Sequence, residues 1–269
     1  MEAKRELKFE SPSFAKRLKG MLGVDFYRLF HTPMFYIFLV IAAIIPAMVS
    51  AMTMMPDQNG NTMEPMYSNV WQIIAATEPL YVINTIADYA NMNMVFIFGG
   101  IMVSIFIGHD YKSGYVKQLF TTHAKKQDYM MSKSIVCAFA MACMCITYLI
   151  GGVAGGVLAG YSLEVNVGSL ILAILGKMIM SMGWASLYTF LNVIFRKYFG
   201  VSIASSFFFG TGILIIGVAA IVENLSIPAS FLNIFLYGSS VNACLVSNVG
   251  TLLICIVVSI VWSIIYNVL

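Results

Sequence analysis

Six long apolar runs, at residues 34–52, 92–108, 134–160, 170–195, 201–222 and 243–269, dominate this chain. Crossing ~30 Å of hydrocarbon as a helix takes roughly 17–25 such residues. Inside lipid no water is present to satisfy an open backbone, which leaves the helix as the form these runs adopt. They predict an all-α polytopic membrane protein, a single membrane domain over residues 1–269 with six transmembrane helices. Composition agrees, since 60% of residues are apolar and only 10% charged.

The cations divide the loops into two classes. Lys4, Arg5, Lys8, Lys16, Arg17, Lys19 and Arg28 precede the first run. Lys112, Lys117, Lys125, Lys126 and Lys133 lie between the second and third, and Arg196 and Lys197 between the fourth and fifth. The alternate loops carry no Lys or Arg but hold Asp57, Glu64, Glu78, Asp88, Glu164 and Glu223. By the positive-inside rule the basic segments face the cytoplasm, so both termini are expected inside and the whole chain in the cell membrane. The net charge of +3 averages a basic inner face with an acidic outer one and does not point to nucleic acid.

Before the first run, Phe14, Leu18, Met21, Leu22, Phe26, Leu29 and Phe30 recur at helical spacing. Lys16, Arg17, Lys19 and Arg28 form the other face. The pattern predicts an amphipathic interfacial helix after a loose tail, turned into the membrane at Thr32-Pro33. A plain positive flank orienting the first span is the other reading. Pro46 is expected to kink the first span. The segment from Thr53 to about Asn91 begins as turn and becomes too apolar for a free loop, so it is expected to pack on the outer surface. Gly152, Gly156 and Gly160, with Gly151 and Gly155 beside them, leave one face of the third span nearly bare. That face suits close helix packing or a glycine-lined substrate path. Residues 229–242 are too short to cross, and are expected to dip into the outer leaflet or lie flat.

Most membrane-enzyme chemistry is missing. His31, His109 and His123 all fall on the inner side, and no His-Glu-x-x-His or other metal-ligand spacing occurs. Gly176-Lys177 lacks both the earlier glycine of a phosphate loop, replaced by Ile171, and the following hydroxyl, replaced by Met178. The five cysteines lie in or beside apolar runs with no zinc spacing. Every Asp and Glu maps to a loop or tail, which counts against an ion-coupled carrier. Lys177 is the one charge expected within a span, either snorkelling to the outer interface beside Glu164 or contacting substrate.

Between the second and third runs, Tyr111, Tyr115 and Leu119 stand four apart, with Val116 and Phe120 adjoining. That spacing predicts a short amphipathic helix with Lys112 and Lys117 outward. The order Asp110-x-x-x-Gly114, then this helix, then Lys125-Lys126 and Lys133, resembles the permease subunits of the type-2 ABC exporter family. It is most similar to the short permeases of lantibiotic and bacitracin immunity. The resemblance implies a coupling helix, with Asp110, Gly114, Tyr115, Lys117, Leu119, Lys125 and Lys126 seating a cytosolic ABC ATPase dimer and the interfacial helix assisting. It further implies a second permease subunit and export of an amphipathic or hydrophobic substrate such as an antimicrobial peptide. ATP and Mg would be held by the ATPase, with no cofactor on this chain. A sensor or assembly subunit, or a channel or secondary carrier, are the alternatives.

Overall fold

The computed structural model describes residues 13–52, 70, 86–121, 125–164, 166–226, 228–244 and 249–269. The expected N-terminal tail and most of the segment 53–91 lie outside them. All regular elements among the described residues are helical apart from an isolated bridge residue at Ser162, whose carbonyl accepts the Val70 N–H (3.0 Å).

Helix α1 (Phe14–His31) meets α2 (Pro33–Met52) at Thr32, where the axes bend by 64°. Thr32 Oγ1 donates to the Arg28 carbonyl (2.6 Å) and closes α1. Pro33 has no N–H to continue that helix but suits the first position of the next. α2 runs unbroken past Pro46. Helix α3 (Ile86–Lys112) leads through Ser113-Gly114 into the short α4 (Tyr115–Thr121), and α5 (Lys126–Leu158) and α6 (Val167–Ile194) follow.

At 1.5 Å per residue the 33-residue α5 is about 50 Å long, so it extends well beyond the hydrocarbon. Among the described residues four helices are long and apolar enough to cross alone: Met94–Lys112 of α3, α5, α6, and α10 (Val249–Val268). The bent pair of α1 and α2 makes a fifth candidate.

The expected span at 201–222 is not one helix. It divides into α7 (Phe199–Gly210) and α8 (Ile213–Asn224), each about 18 Å long and too short to cross alone. The break falls at Thr211-Gly212, where Gly212 has φ +71° under the Tyr237 ring. Residues 229–242 form no long helix. A 3-10 turn (Ala229–Ile234) and α9 (Leu236–Cys244) pack into the protein, with Leu236, Tyr237, Ser239, Ser240 and Val241 buried.

α5 and α6 form the centre, α5 against α2 and α6 against α9 and α10. A Cβ on Gly151 would fall inside the Ala43 backbone, and one on Gly155 would meet the Ala47 backbone. The glycine face therefore serves close packing, with the contact to α2 running along Gly151 and Gly155. On the other side Trp184 stacks on Phe96 and its Nε1 donates to Ser240 Oγ (2.7 Å), pinning α9 to α6. Asn192 Nδ2 donates to Ser104 Oγ (3.0 Å), which donates to Ser206 Oγ (2.8 Å), tying α6, α3 and α7 by buried polar bonds.

Candidate functional site

The last turn of α3 carries Asp110, and Gly114 at φ +73° reverses the chain, a conformation that costs an L side chain but not glycine. The reversal lays α4 back over the end of the bundle. There Val116 packs with Met21 of α1 and Tyr129 of α5 in a small separate core, with Leu119 against it. α1 lies on the same end because Met21, Asp25 and Leu29, four residues apart, form its buried stripe. A carboxylate thus occupies the middle of an apolar register.

Asp25 is 1% exposed and not alone. Lys133, in the second turn of α5 and fully buried, lies 2.7 Å from Asp25 Oδ1 and 2.6 Å from Asp110 Oδ2. Ser132 Oγ donates to Asp25 Oδ2 (2.6 Å), and the Tyr129 hydroxyl donates to Asp110 Oδ2 (3.3 Å). Arg28 of α1 donates through Nη2 to Asp110 Oδ1. Two carboxylates and two cations therefore share one site, in which Asp25, Asp110 and Lys133 are buried and Arg28 is partly so. The Lys133 ammonium also stands 4.5 Å from the Phe106 ring centre, and the Arg28 guanidinium 4.3 Å from that of Tyr115. Three turns earlier along α1, Arg17 Nε makes a second clamp to Asp128 Oδ2 of α5 (2.7 Å). The Asp128 carboxylate also accepts the Lys125 N–H (3.2 Å), capping α5.

Burial pulls the Arg28 guanidinium toward the neutral form, but the Asp110 charge and hydrogen bond outweigh it and hold its pKa above the ordinary value. Burial, and next the Asp25 charge, push the Tyr115 phenol up, so it stays neutral at physiological pH. Removing water from four charges is costly, and the arrangement is tolerable because each has an opposite partner. Such a site resists the loss of any one member. A displacement of α4 or of the α3 end is felt directly by α1 and α5.

The expected site residues divide by role. Asp110 is in the ion cluster, Gly114 makes the turn, Tyr115 covers Arg28, and Leu119 packs on the small core. Lys117, Lys125, Lys126, Lys16 and Lys19 are exposed around it. Arg17 and Arg28 are not on an outward polar face as expected, but turn inward to carboxylates. The expectation that acids sit in loops is overturned for Asp25, Asp110 and Asp128, all buried in pairs within helices. Lys177 stands apart in α6. It is 5% exposed, its ammonium 5.9 Å from the Tyr148 ring centre, so the side chain is packed in protein rather than snorkelling to water. Sequence reasoning misses the roles of Asp25, Asp128, Tyr129 and Ser132, and places Lys133 at the opening of the third span without its carboxylate partners. The one available signal is Asp25 standing four residues from both Met21 and Leu29.

A family model described as ABC-2 family transporter protein matches residues 22–220, well over half of the chain, a range that includes Asp25, Arg28, Asp110 and Lys133. No curated protein matches the chain.

Proposed function

The chain belongs to the ABC-2 transporter family, as a multi-pass membrane permease subunit that works with an ATP-binding subunit, and from that premise we propose that it exports an amphipathic or hydrophobic substrate such as an antimicrobial peptide. In this reading the α4 end faces the cytoplasm, both termini lie inside, and a cytosolic ATPase dimer binding ATP and Mg docks on α4 and α1. Two permease subunits form the translocation unit in the cell membrane. Lys117, Lys125 and Lys126, with Lys16 and Lys19 of α1, meet the ATPase. Asp110, Gly114, Tyr115 and Leu119 hold α4 in place for it, while Arg17 and Arg28 fasten α1.

The observation that carries the reading is the ion cluster itself. A helix of seven residues has little rigidity of its own, yet α4 is wedged among α1, α3 and α5, which are joined by largely buried charges that do not separate cheaply. Movement imposed on α4 is thereby delivered to three long helices together. Transport by the complex carrying K117E/K125E/K126E tests it. Reversed charges should lower transport at least about tenfold, since like charges brought together across an interface cost several kcal/mol, while ATP hydrolysis by the isolated ATPase continues. Transport at the wild-type rate removes these lysines from the docking surface.

A further inference from the structure

We propose that the elbow between α1 and α2 is a binding site for the phosphate group of an anionic phospholipid from the leaflet on the α4 side. Beneath the 64° bend lies a cavity of about 240 Å³. Its polar wall is Arg28, His31 and His109, and its apolar wall includes Met34, Met102 and Phe106.

Three groups able to carry positive charge thus line a small space in which no carboxylate takes part. Asp110, the nearest acid partner, is already engaged by Arg28 and Lys133. The Arg28 guanidinium uses Nη2 for that bond, while its Nη1 is buried with no hydrogen-bond partner. A buried donor on a charged group left unmatched is costly, and an anion oxygen is the partner such a group takes best. His31 is held in place: its Nδ1 donates to the Tyr27 carbonyl (2.8 Å) and its ring stacks on Tyr27 at 3.9 Å, leaving Nε2 for a ligand. The first turn of α2 forms part of the cavity lining, and its positive dipole end favours an anion in the same space.

The surroundings choose among anions. Tyr27, Phe30 and Tyr36 ring the elbow, 63%, 42% and 51% exposed, and the Tyr36 hydroxyl donates to the Phe30 carbonyl (3.0 Å). Exposed aromatic rings at the start of a span belong to the headgroup layer. An occupant arriving there comes from lipid, with a phosphate for the basic wall and acyl carbons for Met34, Met102 and Phe106. A zwitterionic headgroup would bring its ammonium toward three basic groups, so a net anionic lipid is selected. This inference does not depend on the ATPase-docking assignment.

The full-length chain in neutral detergent is titrated with dioctanoyl-phosphatidylglycerol and dioctanoyl-phosphatidylcholine, with binding read by native mass spectrometry. Phosphatidylglycerol should bind at least about tenfold tighter, H31Q/H109Q should remove that preference, and H31K/H109K should keep it. Both histidines are exposed, so thermal unfolding of the variants should match wild type. Equal binding of the two lipids to the wild-type chain overturns the proposal without any variant. So does a preference unchanged in H31Q/H109Q. Saturation by inorganic phosphate that displaces phosphatidylglycerol places a free anion in the cavity and overturns the lipid assignment.

Discussion

Lys133 holds Asp25 and Asp110 on a single ammonium, and this makes it the residue whose loss the site tolerates least. In K133M two buried carboxylates would face each other with Arg28 as the remaining cation of the cluster. Breaking a buried pair by removing one partner costs about 3–5 kcal/mol, so a large drop in thermal unfolding temperature in detergent is expected. The D25N/K133M double variant should be less destabilised than the sum of the two single changes, because the first removes the charge the second strands. Wild-type unfolding of K133M would show that the cluster does not hold the helices together. These residues are the least legible in the sequence, for a physical reason. Hydropathy reads every charge as a wish for water, so it ends the second span at 108 and begins the third at 134. The helices continue past both limits because opposite charges meet there, and pairing between residues a hundred positions apart leaves no local mark.

Helices are where the sequence reads most securely. Four of the six expected runs coincide with helices long and apolar enough to cross alone, and the amphipathic α1, the turn at Thr32-Pro33 and the short α4 fall where their spacing places them. Of the other two, the run at 34–52 is a single helix that counts as a span only together with α1, and the run at 201–222 is broken although its hydropathy has no gap at Thr211-Gly212. The break there is a matter of one backbone dihedral and the Tyr237 ring covering it, neither of which composition records. The glycines of α5 are recognisable as a packing face, though the exact contact row is set by where α2 lies. Glycine chemistry gives a contrast that needs no functional assay. Gly20 of α1 has nothing within 4 Å of where an alanine methyl would sit, so G20A should be neutral or stabilising by up to about 1 kcal/mol through helix propensity. G151L drives a large side chain into the Ala43 backbone and should cost about 3 kcal/mol or more, since neither helix can yield without losing the contact along its length. Comparing yield and thermal unfolding of the two variants decides it. Equal stability would mean that α2 and α5 are not in contact at Gly151.

At the scale of the whole molecule, α5 determines which parts of the chain share a side. Its length of about 50 Å carries it across the bilayer with turns to spare, so Lys117 and Lys125 at one end and Leu163 past the other cannot be on the same surface. The ion cluster, α1 and α4 all gather at the first end. The proposed function takes that end, dense in Lys and Arg, as the cytoplasmic one by the positive-inside rule, the side from which an ATP-binding partner would reach it. Cysteines introduced one at a time at Lys117 and Leu163, both exposed, make this measurable. Cys137, Cys145 and Cys255 are buried and Cys143 is partly so, and a C244S background removes the fifth native thiol, so labelling of native cysteines should stay low. In intact cells a membrane-impermeant maleimide should label L163C and leave K117C untouched, and permeabilisation should expose K117C. Labelling of K117C from outside would invert the molecule. It would put α4 out of reach of ATP and dismiss the docking role of Lys117, Lys125 and Lys126 at once, while leaving the buried cluster and its contribution to stability as they are.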